Sequence, residues 1–307
     1  MAEAARAGDP RALGRLVSLV ENSSAQLREV MAVTAPLAGG AHVIGLTGSP
    51  GVGKSTVTGA LVRSYREAGL RVGVLAVDPT SPFSGGALLG DRVRMQDHAT
   101  DDGVFIRSMA SRGHLGGLAW ATPQAVRILD AAGFGVILLE TVGVGQAEVE
   151  IAATADTTLV VAAPGLGDSI QAAKAGILEI ADVFAVNKSD RPGAQEVVRD
   201  LRTMLAMARY DSGAWKPPIV STSAATGEGI ADLTTAIGRH QDWLAGSGEL
   251  ARRRRVRARE EIAAIAVTEL RRRLGGLPGE DKLDELAGQV TAGELDPYAA
   301  ADELIGD

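Results

Sequence analysis

The stretch Gly48-Ser-Pro-Gly-Val-Gly-Lys54-Ser55 constrains the fold of this chain more than any other. It matches the phosphate-binding pattern G-x-x-x-x-G-K-[ST] at every fixed position. The apolar, β-branched run 42–47 before it predicts a buried strand, and residues 55–69 after it predict a helix. In that context backbone N–H groups and a helix N-terminus surround an anion. A chance match in a glycine-rich turn is the alternative, and the complete motif with its flanks argues against it.

Two side chains of this loop have predicted roles in chemistry. Lys54 is placed to reach the terminal phosphates and is the predicted catalytic side chain. The Ser55 hydroxyl is placed to bind Mg²⁺. The predicted phosphate-binding residues of the motif are Gly48, Ser49, Pro50, Gly51, Val52, Gly53, Lys54 and Ser55.

Length and composition are those of an ordinary globular chain with an acidic balance. The 307 residues suffice for one large α/β domain with helical additions or for two small domains. The net charge of −7 argues against a nucleic-acid binder unless a local basic patch overrides it. The absence of cysteine excludes disulfides, thiolate metal sites and cysteine nucleophiles. We expect a cytoplasmic protein, since no apolar run approaches a membrane span and the N-terminus lacks a signal-peptide layout.

From residue 42 to about residue 240 the sequence alternates between strand and helix patterns. Most strand candidates are continuous Val/Ile/Leu runs, which are typical of strands buried on both faces of a mainly parallel sheet. The alternation predicts a doubly wound α/β domain whose ligands lie beyond the carboxyl ends of the strands. The candidate strands are 42–47, 71–77, 103–108, 135–140, 157–163, 182–187 and 218–222.

Residues 9–37 predict a pair of helices packed on the main domain. Asp9-Pro10 is a cap followed by a first-turn proline. Ser23 or Ser24 could cap the second helix. The apolar stripe of the first helix consists of Leu13, Leu16, Val17 and Val20.

Residues 248–275 predict a long helix, and two shorter helices are predicted after it, the second beginning at Asp296-Pro297. The long helix carries six arginines between 252 and 259, followed by an apolar stripe that needs a partner surface. A nucleic-acid patch is one interpretation of the arginines. A solvated or interface-bordering face is the preferred one, because Glu260-Glu261 follow at once and the overall charge is acidic.

The motif Asn187-Lys188-Ser189-Asp190 indicates which base the nucleotide carries. It follows the apolar stretch 182–186 and matches N-K-x-D. Guanine presents two neighbouring donors, its ring N–H and its exocyclic amine, and the Asp190 carboxylate can accept from both. Adenine lacks this pair, and such mispairing can cost roughly 10⁴-fold in selectivity. Ser223-Ala224 resembles the second guanine loop, in which a backbone N–H meets the purine oxygen. Ordinary loop capping is the alternative.

Three acidic residues near predicted strand ends are candidate ligands for Mg²⁺, which prefers oxygen donors. Asp78 follows one apolar run, Asp91 lies in a glycine-rich segment, and Glu140 ends another run. The stretch beginning at Glu140 resembles the D-x-x-G element of GTPases with Glu in place of Asp, and the longer carboxylate could reach the metal through water. A helix cap or a solvated turn explains each acid singly. Together with Ser55 on one sheet edge, they predict a metal site.

The predicted chemistry is phosphoryl transfer to water, in which positioning and charge neutralisation by Lys54, Mg²⁺ and loop amides dominate. No residue stands out as the one that positions the water. Gln146 is a candidate by analogy, and a structural role fits it equally well. Lys174 could move toward the phosphates when a partner docks, whereas a solvated helix lysine is the simpler interpretation.

Taken together, seven stretches resemble the methylmalonyl-CoA mutase-associated GTPases, a family also called MeaB/ArgK-type and formerly LAO/AO transport kinase. The resemblance extends from the N-terminal helices through the C-terminal helical arm, and its most specific part is the block from 77 to 146. The stretches are Gly48–Thr56, Val77–Pro82, Gly85–Arg92, Arg107–Gly117, Glu140–Gln146, Pro164–Asp168 and Asn187–Asp190.

The resemblance implies a P-loop NTPase fold with a SIMIBI-class G domain, a mainly parallel sheet, an N-terminal helical hairpin and a C-terminal helical dimerisation arm. The corresponding parts are residues 1–40, 41–245 and 246–307. It also implies a homodimeric GTPase that converts GTP to GDP and acts as a chaperone. Its partner would be an adenosylcobalamin-dependent acyl-CoA mutase of the methylmalonyl-CoA mutase type, whose cofactor loading it gates and which it protects or reactivates.

By position, the resemblance also assigns site residues. Thr56 joins the phosphate-binding set, and Arg112-Gly-His114 and the segment 165–174 are candidates for partner-responsive switches. The metal set implied is Ser55, Asp78, Asp91 and Glu140. The guanine set implied is Asn187, Lys188, Asp190, Ser223, Ala224 and Ala225.

The sequence lacks the D-x-H-x-x-G pattern of base-off cobalamin binding. We therefore expect no cobalamin bound directly to this chain, with the cofactor on the partner. We also expect neither nucleic acid nor a membrane as a partner. Two alternatives stay open: a kinase or ATPase of an amino-acid (LAO/AO) transport system, as the older family name suggests, and an RNA-linked GTPase that uses the arginine helix.

Overall fold

The computed structural model describes residues 1–22, 26–79, 100–111, 121–141, 151–165, 177–275 and 279–305. The chain divides into two units, Met1–Ala251 and Arg252–Asp307. The N-terminal helices therefore belong to the same unit as the sheet. The boundaries of the three parts suggested by the sequence stay a prediction.

A parallel sheet forms the centre of the first unit. Within the described residues it has seven strands in the order β3-β2-β4-β1-β5-β6-β7, and every neighbouring pair is parallel. The strands are β1 His42–Thr47, β2 Val72–Pro79, β3 Val104–Ser111, β4 Val136–Thr141, β5 Thr157–Ala162, β6 Val183–Val186 and β7 Ile219–Ser221. The predicted strands and the predicted α/β class are confirmed. β1 has β4 on one side and β5 on the other, so the crevice above β1 is the switch point where ligands bind in such folds.

One boundary differs from its prediction in a way that affects the site. β2 continues two residues beyond the predicted end at residue 77, because Asp78 and Pro79 stay paired in register with residues 110 and 111 of β3. Asp78 therefore lies inside the carboxyl end of β2 and does not follow it.

Helices precede, alternate with and follow the strands along the chain. Besides a helical stretch at 151–154, the helices of the described residues are α1 Ala2–Arg6, α2 Pro10–Glu21, α3 Leu27–Thr34, α4 Lys54–Glu67, α5 Thr122–Ala131, α6 Ile177–Ile180, α7 Ala194–Met207, α8 Ile230–Ser247, α9 Glu249–Gly275, α10 Gly279–Thr291 and α11 Pro297–Ile305, with a 3₁₀ turn at Ala35–Leu37. Nowhere in the described part of the chain does a helix combine the length and the apolar character that crossing a bilayer requires.

The strand β1 shows how the helices divide between the two faces of the sheet. All six of its residues are buried, and successive side chains point to opposite faces. Ile44 and Leu46 belong to the apolar cluster that contains residues of α4 and α8. Val43 belongs to the other large cluster, which contains residues of α2 and α5. The site-bearing helix α4 is therefore held against the centre of the sheet.

The N-terminal helices pack on the sheet as predicted. The Asp9 carboxylate accepts from the backbone N–H groups of Arg11 and Ala12, which confirms the predicted cap of α2. The predicted stripe Leu13, Leu16, Val17 and Val20 is buried, with no member more than 2% exposed. The short helix α1 was not predicted. Ser23 and Ser24 lie outside the described residues.

The long helix predicted over 248–275 corresponds to α9, and the two shorter helices that follow are α10 and α11. Asp296 caps α11, since its carboxylate accepts from the N–H groups of Tyr298 and Ala299. Large apolar side chains of α9 are exposed, namely Val256, Ile262, Ile265, Val267 and Leu270.

Candidate nucleotide site

The glycine loop between β1 and α4 requires glycine at two positions where neighbouring chain approaches closely. Gly48 has φ +137°, and a Cβ there would lie 2.1 Å from the carbonyl oxygen of Val161 in β5. Gly53 has φ +94°, and a Cβ there would lie 2.5 Å from the Asn187 side-chain nitrogen. These left-handed conformations are disfavoured for side chains other than glycine. The loop is thus fixed by contacts with β5 and with the loop after β6.

Lys54 begins α4 and directs its ammonium back over the loop. The side chain is buried, and Nζ donates to the carbonyl oxygen of Gly48 at 2.6 Å, with the carbonyl oxygen of Ser49 at 3.3 Å. The positive charge adds to the partial positive charge of the α4 N-terminus. The arrangement favours an anion such as a phosphate at this point. Thr56 is exposed in the first turn of α4, and Pro50 is exposed on the loop.

Glu140 of β4 joins the loop through two hydroxyl groups of α4. Its Oε1 accepts from Ser55 Oγ at 2.7 Å, and its Oε2 accepts from Thr58 Oγ1 at 2.8 Å. Glu140 is 1% exposed. The structure thus brings together two of the four predicted metal-site residues. Thr58 was not identified from the sequence, although its spacing of three residues from Ser55 places both hydroxyls on one helix face.

The other two predicted metal ligands cannot be placed in the same way. For Asp78 the structure gives the backbone position in β2. It lies two residues after Ala76, and Ala76 pairs in register with Glu140. Further predicted residues lie outside the described part of the chain, namely Asp91, Arg112, His114, Gln146 and Lys174. The described side chains contain no cluster of three or more His, Asp or Glu residues that could hold a metal ion. A hydroxyl and a carboxylate are nevertheless the hard oxygen donors that suit Mg²⁺, which takes few protein ligands and keeps phosphate and water.

Asn187, directly after β6, connects three parts of the site. Its Nδ2 donates to the carbonyl oxygen of Val52 at 2.9 Å, and its Oδ1 accepts from the N–H of Ala224 at 3.1 Å. Lys188, at φ +56°, donates from Nζ to the carbonyl oxygen of Gly51 at 2.6 Å. The loop that carries the N-K-x-D motif is therefore hydrogen-bonded to the phosphate loop and to the loop after β7.

The remaining predicted guanine contacts lie where these loops meet solvent. Asp190 is exposed, three residues beyond the buried Asn187. Ser223 and Ala224 are buried, and Ala225 is exposed. The Ser223 N–H donates to the carbonyl oxygen of Glu228, closing a tight loop at this position. The geometry leaves the Asp190 carboxylate accessible to a base.

The chain matches the family model of the methylmalonyl-CoA mutase-associated GTPase MeaB over residues 13–277. It belongs to this family. The resemblance identified from the sequence is confirmed, and the match includes all the loops described above.

Individual relatives agree with membership of the MeaB family. A protein named as a GTPase in Pyrococcus horikoshii is 48% identical over 305 residues, which cover 99% of this chain and 96% of that protein. The Mus musculus protein named methylmalonic aciduria type A homolog, mitochondrial, is 34% identical over 266 residues, which cover 85% of this chain and 64% of that protein. Among solved structures, a LAO/AO transport system kinase has a TM-score of 0.71 at 26% identity, covering 99% of this chain and 95% of that chain. The chain is a GTPase with a P-loop NTPase fold.

Proposed function

We propose that this GTPase is a chaperone for an adenosylcobalamin-dependent acyl-CoA mutase of the methylmalonyl-CoA mutase type. It gates loading of the cofactor into the mutase and protects or reactivates that enzyme. The observation that carries the proposal is the match to a family named for its association with methylmalonyl-CoA mutase. The relative named for methylmalonic aciduria supports the same partner.

In this proposal the residues around the glycine loop bind GTP together with Mg²⁺. Lys54 and the loop amides bind the phosphates, because the buried Lys54 ammonium lies at the loop and Lys54 begins α4, whose N-terminus favours an anion. Ser55 and Glu140, with Asp78 and Asp91, serve Mg²⁺, which when bound would neutralise charge on the phosphate oxygens. Asp190 accepts from the guanine donors, and the loop from 223 to 225 contacts the purine oxygen.

The chain's own contribution to hydrolysis is positioning and charge neutralisation. Lys54 Nζ is held at the loop by the carbonyl oxygens of Gly48 and Ser49, so its charge already lies at the loop where we propose that the phosphates bind. Such preorganised charge is most effective where water is excluded, and Lys54 is only 8% exposed.

The helix α9 supplies the proposed dimer contact. Ile262 and Leu270 are 67% and 57% exposed, and neighbouring apolar residues of α9 are exposed with them. Large exposed apolar side chains in one region are typical of a surface that another protein covers. We propose that a second copy covers it, that the cofactor stays on the mutase, and that neither nucleic acid nor a membrane is a partner.

The test uses the purified chain, a candidate mutase and GTP labelled on the γ-phosphate. Release of free phosphate, faster with the mutase present, is the expected result. Transfer of the label to a protein would instead support the transport-kinase alternative, which the name of the structural neighbour suggests.

The chaperone role itself is tested by the loading of apo-mutase with adenosylcobalamin, followed by absorbance. We expect the amount or rate of loading to differ between GTP and GDP only when this chain is present. Loading that is the same with and without the chain, for each nucleotide, would contradict the chaperone proposal while leaving GTP hydrolysis intact.

A further inference from the structure

Thr58 contacts the carboxylate of Glu140 from the side opposite to Ser55. Thr58 Oγ1 lies 2.8 Å from Glu140 Oε2, and Ser55 Oγ lies 2.7 Å from Glu140 Oε1. Thr58 is fully buried and Glu140 is 1% exposed. One helix therefore holds both oxygens of one buried carboxylate.

This geometry follows from where α4 crosses the sheet. Residues three apart on a helix lie on one face, so the hydroxyls at 55 and 58 both face β4. Glu140 pairs in register with Leu46 of β1 and Ala76 of β2, which places it centrally in the sheet. A glutamate has one more rotatable bond than an aspartate, and two hydrogen bonds fix the rotation of its carboxylate plane.

Counting protons shows which way the hydroxyls point. A threonine hydroxyl has one proton and a carboxylate has only acceptors. Thr58 Oγ1 also lies 3.0 Å from the carbonyl oxygen of Lys54, but the carboxylate is the stronger acceptor because its hydrogen bonds are charge-assisted. With the protons of both hydroxyls directed at Glu140, the lone pairs of Ser55 Oγ are turned away from the carboxylate.

We propose that Thr58 is a positioning residue for the magnesium site. It holds Glu140, and Glu140 in turn orients the Ser55 hydroxyl so that an oxygen lone pair, and not the proton, faces the metal position. This inference rests on the proposed binding of Mg²⁺ with the nucleotide. Under this proposal Glu140 acts on the metal site through the Ser55 hydroxyl, in addition to any water-mediated contact between Glu140 and the metal.

The test compares Thr58→Val, Thr58→Ser and a matched control, Thr34→Val. Thr34 is also a buried threonine, 2% exposed, and its hydroxyl donates to the carbonyl oxygen four residues earlier, at 3.0 Å, as Thr58 can. The control thus removes the same kind of helix contact without touching a carboxylate. Affinity for a fluorescent GDP analogue is titrated against Mg²⁺ and measured again in EDTA.

We expect the Mg²⁺ concentration that gives half of the Mg²⁺-dependent gain in nucleotide affinity to be about tenfold higher in Thr58→Val than in the wild type. A tenfold change corresponds to the typical free energy of one hydrogen bond to a charged group. Affinity in EDTA should stay unchanged, Thr58→Ser should restore the wild-type titration, and Thr34→Val should match the wild type. A wild-type Mg²⁺ titration in Thr58→Val would overturn the role of Thr58, as would an equal loss with and without Mg²⁺.

Two further measurements keep the outcomes distinct. If the wild type itself shows no Mg²⁺ dependence, the proposed metal site fails, whatever Thr58 does. If Thr58→Val does not fold, Thr58→Ala is titrated in the background of Glu140→Gln. Since Thr58 acts through Glu140, Thr58→Ala should add little to the loss caused by Glu140→Gln, and a full additional tenfold loss would contradict the proposal.

Discussion

Replacing Gly53 by alanine should weaken GTP binding. Gly53 belongs to the phosphate loop, but the added methyl group would displace Asn187, which belongs to the N-K-x-D loop proposed to bind guanine. A Cβ at Gly53 would lie 2.5 Å from Asn187 Nδ2, closer than such atoms can approach, so Asn187 would have to move. Asn187 is buried and bonded to Val52 and Ala224. GTP binding requires the loop that carries Asn187 in its original position. The free energy needed to restore that position therefore reduces the affinity for GTP.

The matched control is Gly51→Ala. Gly51 has φ +81° against +94° at Gly53, so both variants carry a similar left-handed strain of about 1–2 kcal/mol. A Cβ at Gly51 would meet nothing within 4 Å. The difference between the two variants therefore isolates the displacement of Asn187. Leaving buried hydrogen-bonding groups unpaired costs about 1–3 kcal/mol, which corresponds to about 5- to 150-fold weaker binding for Gly53→Ala than for Gly51→Ala.

Isothermal titration calorimetry of GTP with both variants measures this difference, and thermal unfolding followed by circular dichroism checks that each is folded. Equal affinities of the two folded variants would refute the reasoning. That result would mean that Asn187 tolerates displacement without loss of base recognition.

Three other substitutions test separate parts of the molecule. Asp190→Asn should shift preference from guanine toward xanthine nucleotides, because the amide offers a donor where xanthine has a carbonyl; an unchanged ratio of GTP to XTP turnover would contradict the role of Asp190. Lys54→Ala should lower phosphate release by about 100-fold or more with the fold intact by circular dichroism, since it removes the buried cation from the loop; retained hydrolysis would exclude a catalytic role. Asp130→Ala should lower the free energy of unfolding in urea by about 2 kcal/mol, because the Asp130 carboxylate accepts from the N–H groups of residues 39–41. A change below about 0.5 kcal/mol would show that this contact does not stabilise the unit.

The strands and the site loops could be predicted because their signals are local. Each strand is a short apolar run, and each loop motif names residues that follow a strand directly, so a parallel sheet brings the loops to one edge. Ser55 and Glu140 were expected at one sheet edge on these grounds, as parts of a metal site, and the structure has the two side chains 2.7 Å apart.

Contacts between distant residues that no motif links could not be predicted. The placement of β4 between β1 and β2 has no signal in any single segment. A buried chain of polar groups at the amino ends of the strands is similar. His42 Nε2 lies 2.8 Å from Thr157 Oγ1, which lies 2.8 Å from His240 Nδ1, and the three residues are separated by 115 and 83 positions.

Thr58 was missed for a different reason. A threonine in a helix that also contains Val57 and Leu61 looks like part of the apolar face, and it is indeed fully buried. Only the position of Glu140 on the neighbouring strand gives its hydroxyl a partner. Sequence motifs identify the residues that contact a ligand. They less often identify residues such as Thr58, which position the ligand-contacting residues.

The order of the strands separates two tasks across β1. Asp78 and Glu140 belong to β2 and β4 on one side, while Asn187 follows β6 on the other. In the proposed binding mode, loss of the terminal phosphate would change contacts on the side of Asp78 and Glu140, whereas the purine would stay bound on the side of β6. The nucleotide would thus stay bound on the β6 side after cleavage, while its contacts on the β2–β4 side change. A protein that responds to the cleavage would need to contact only the β2–β4 side.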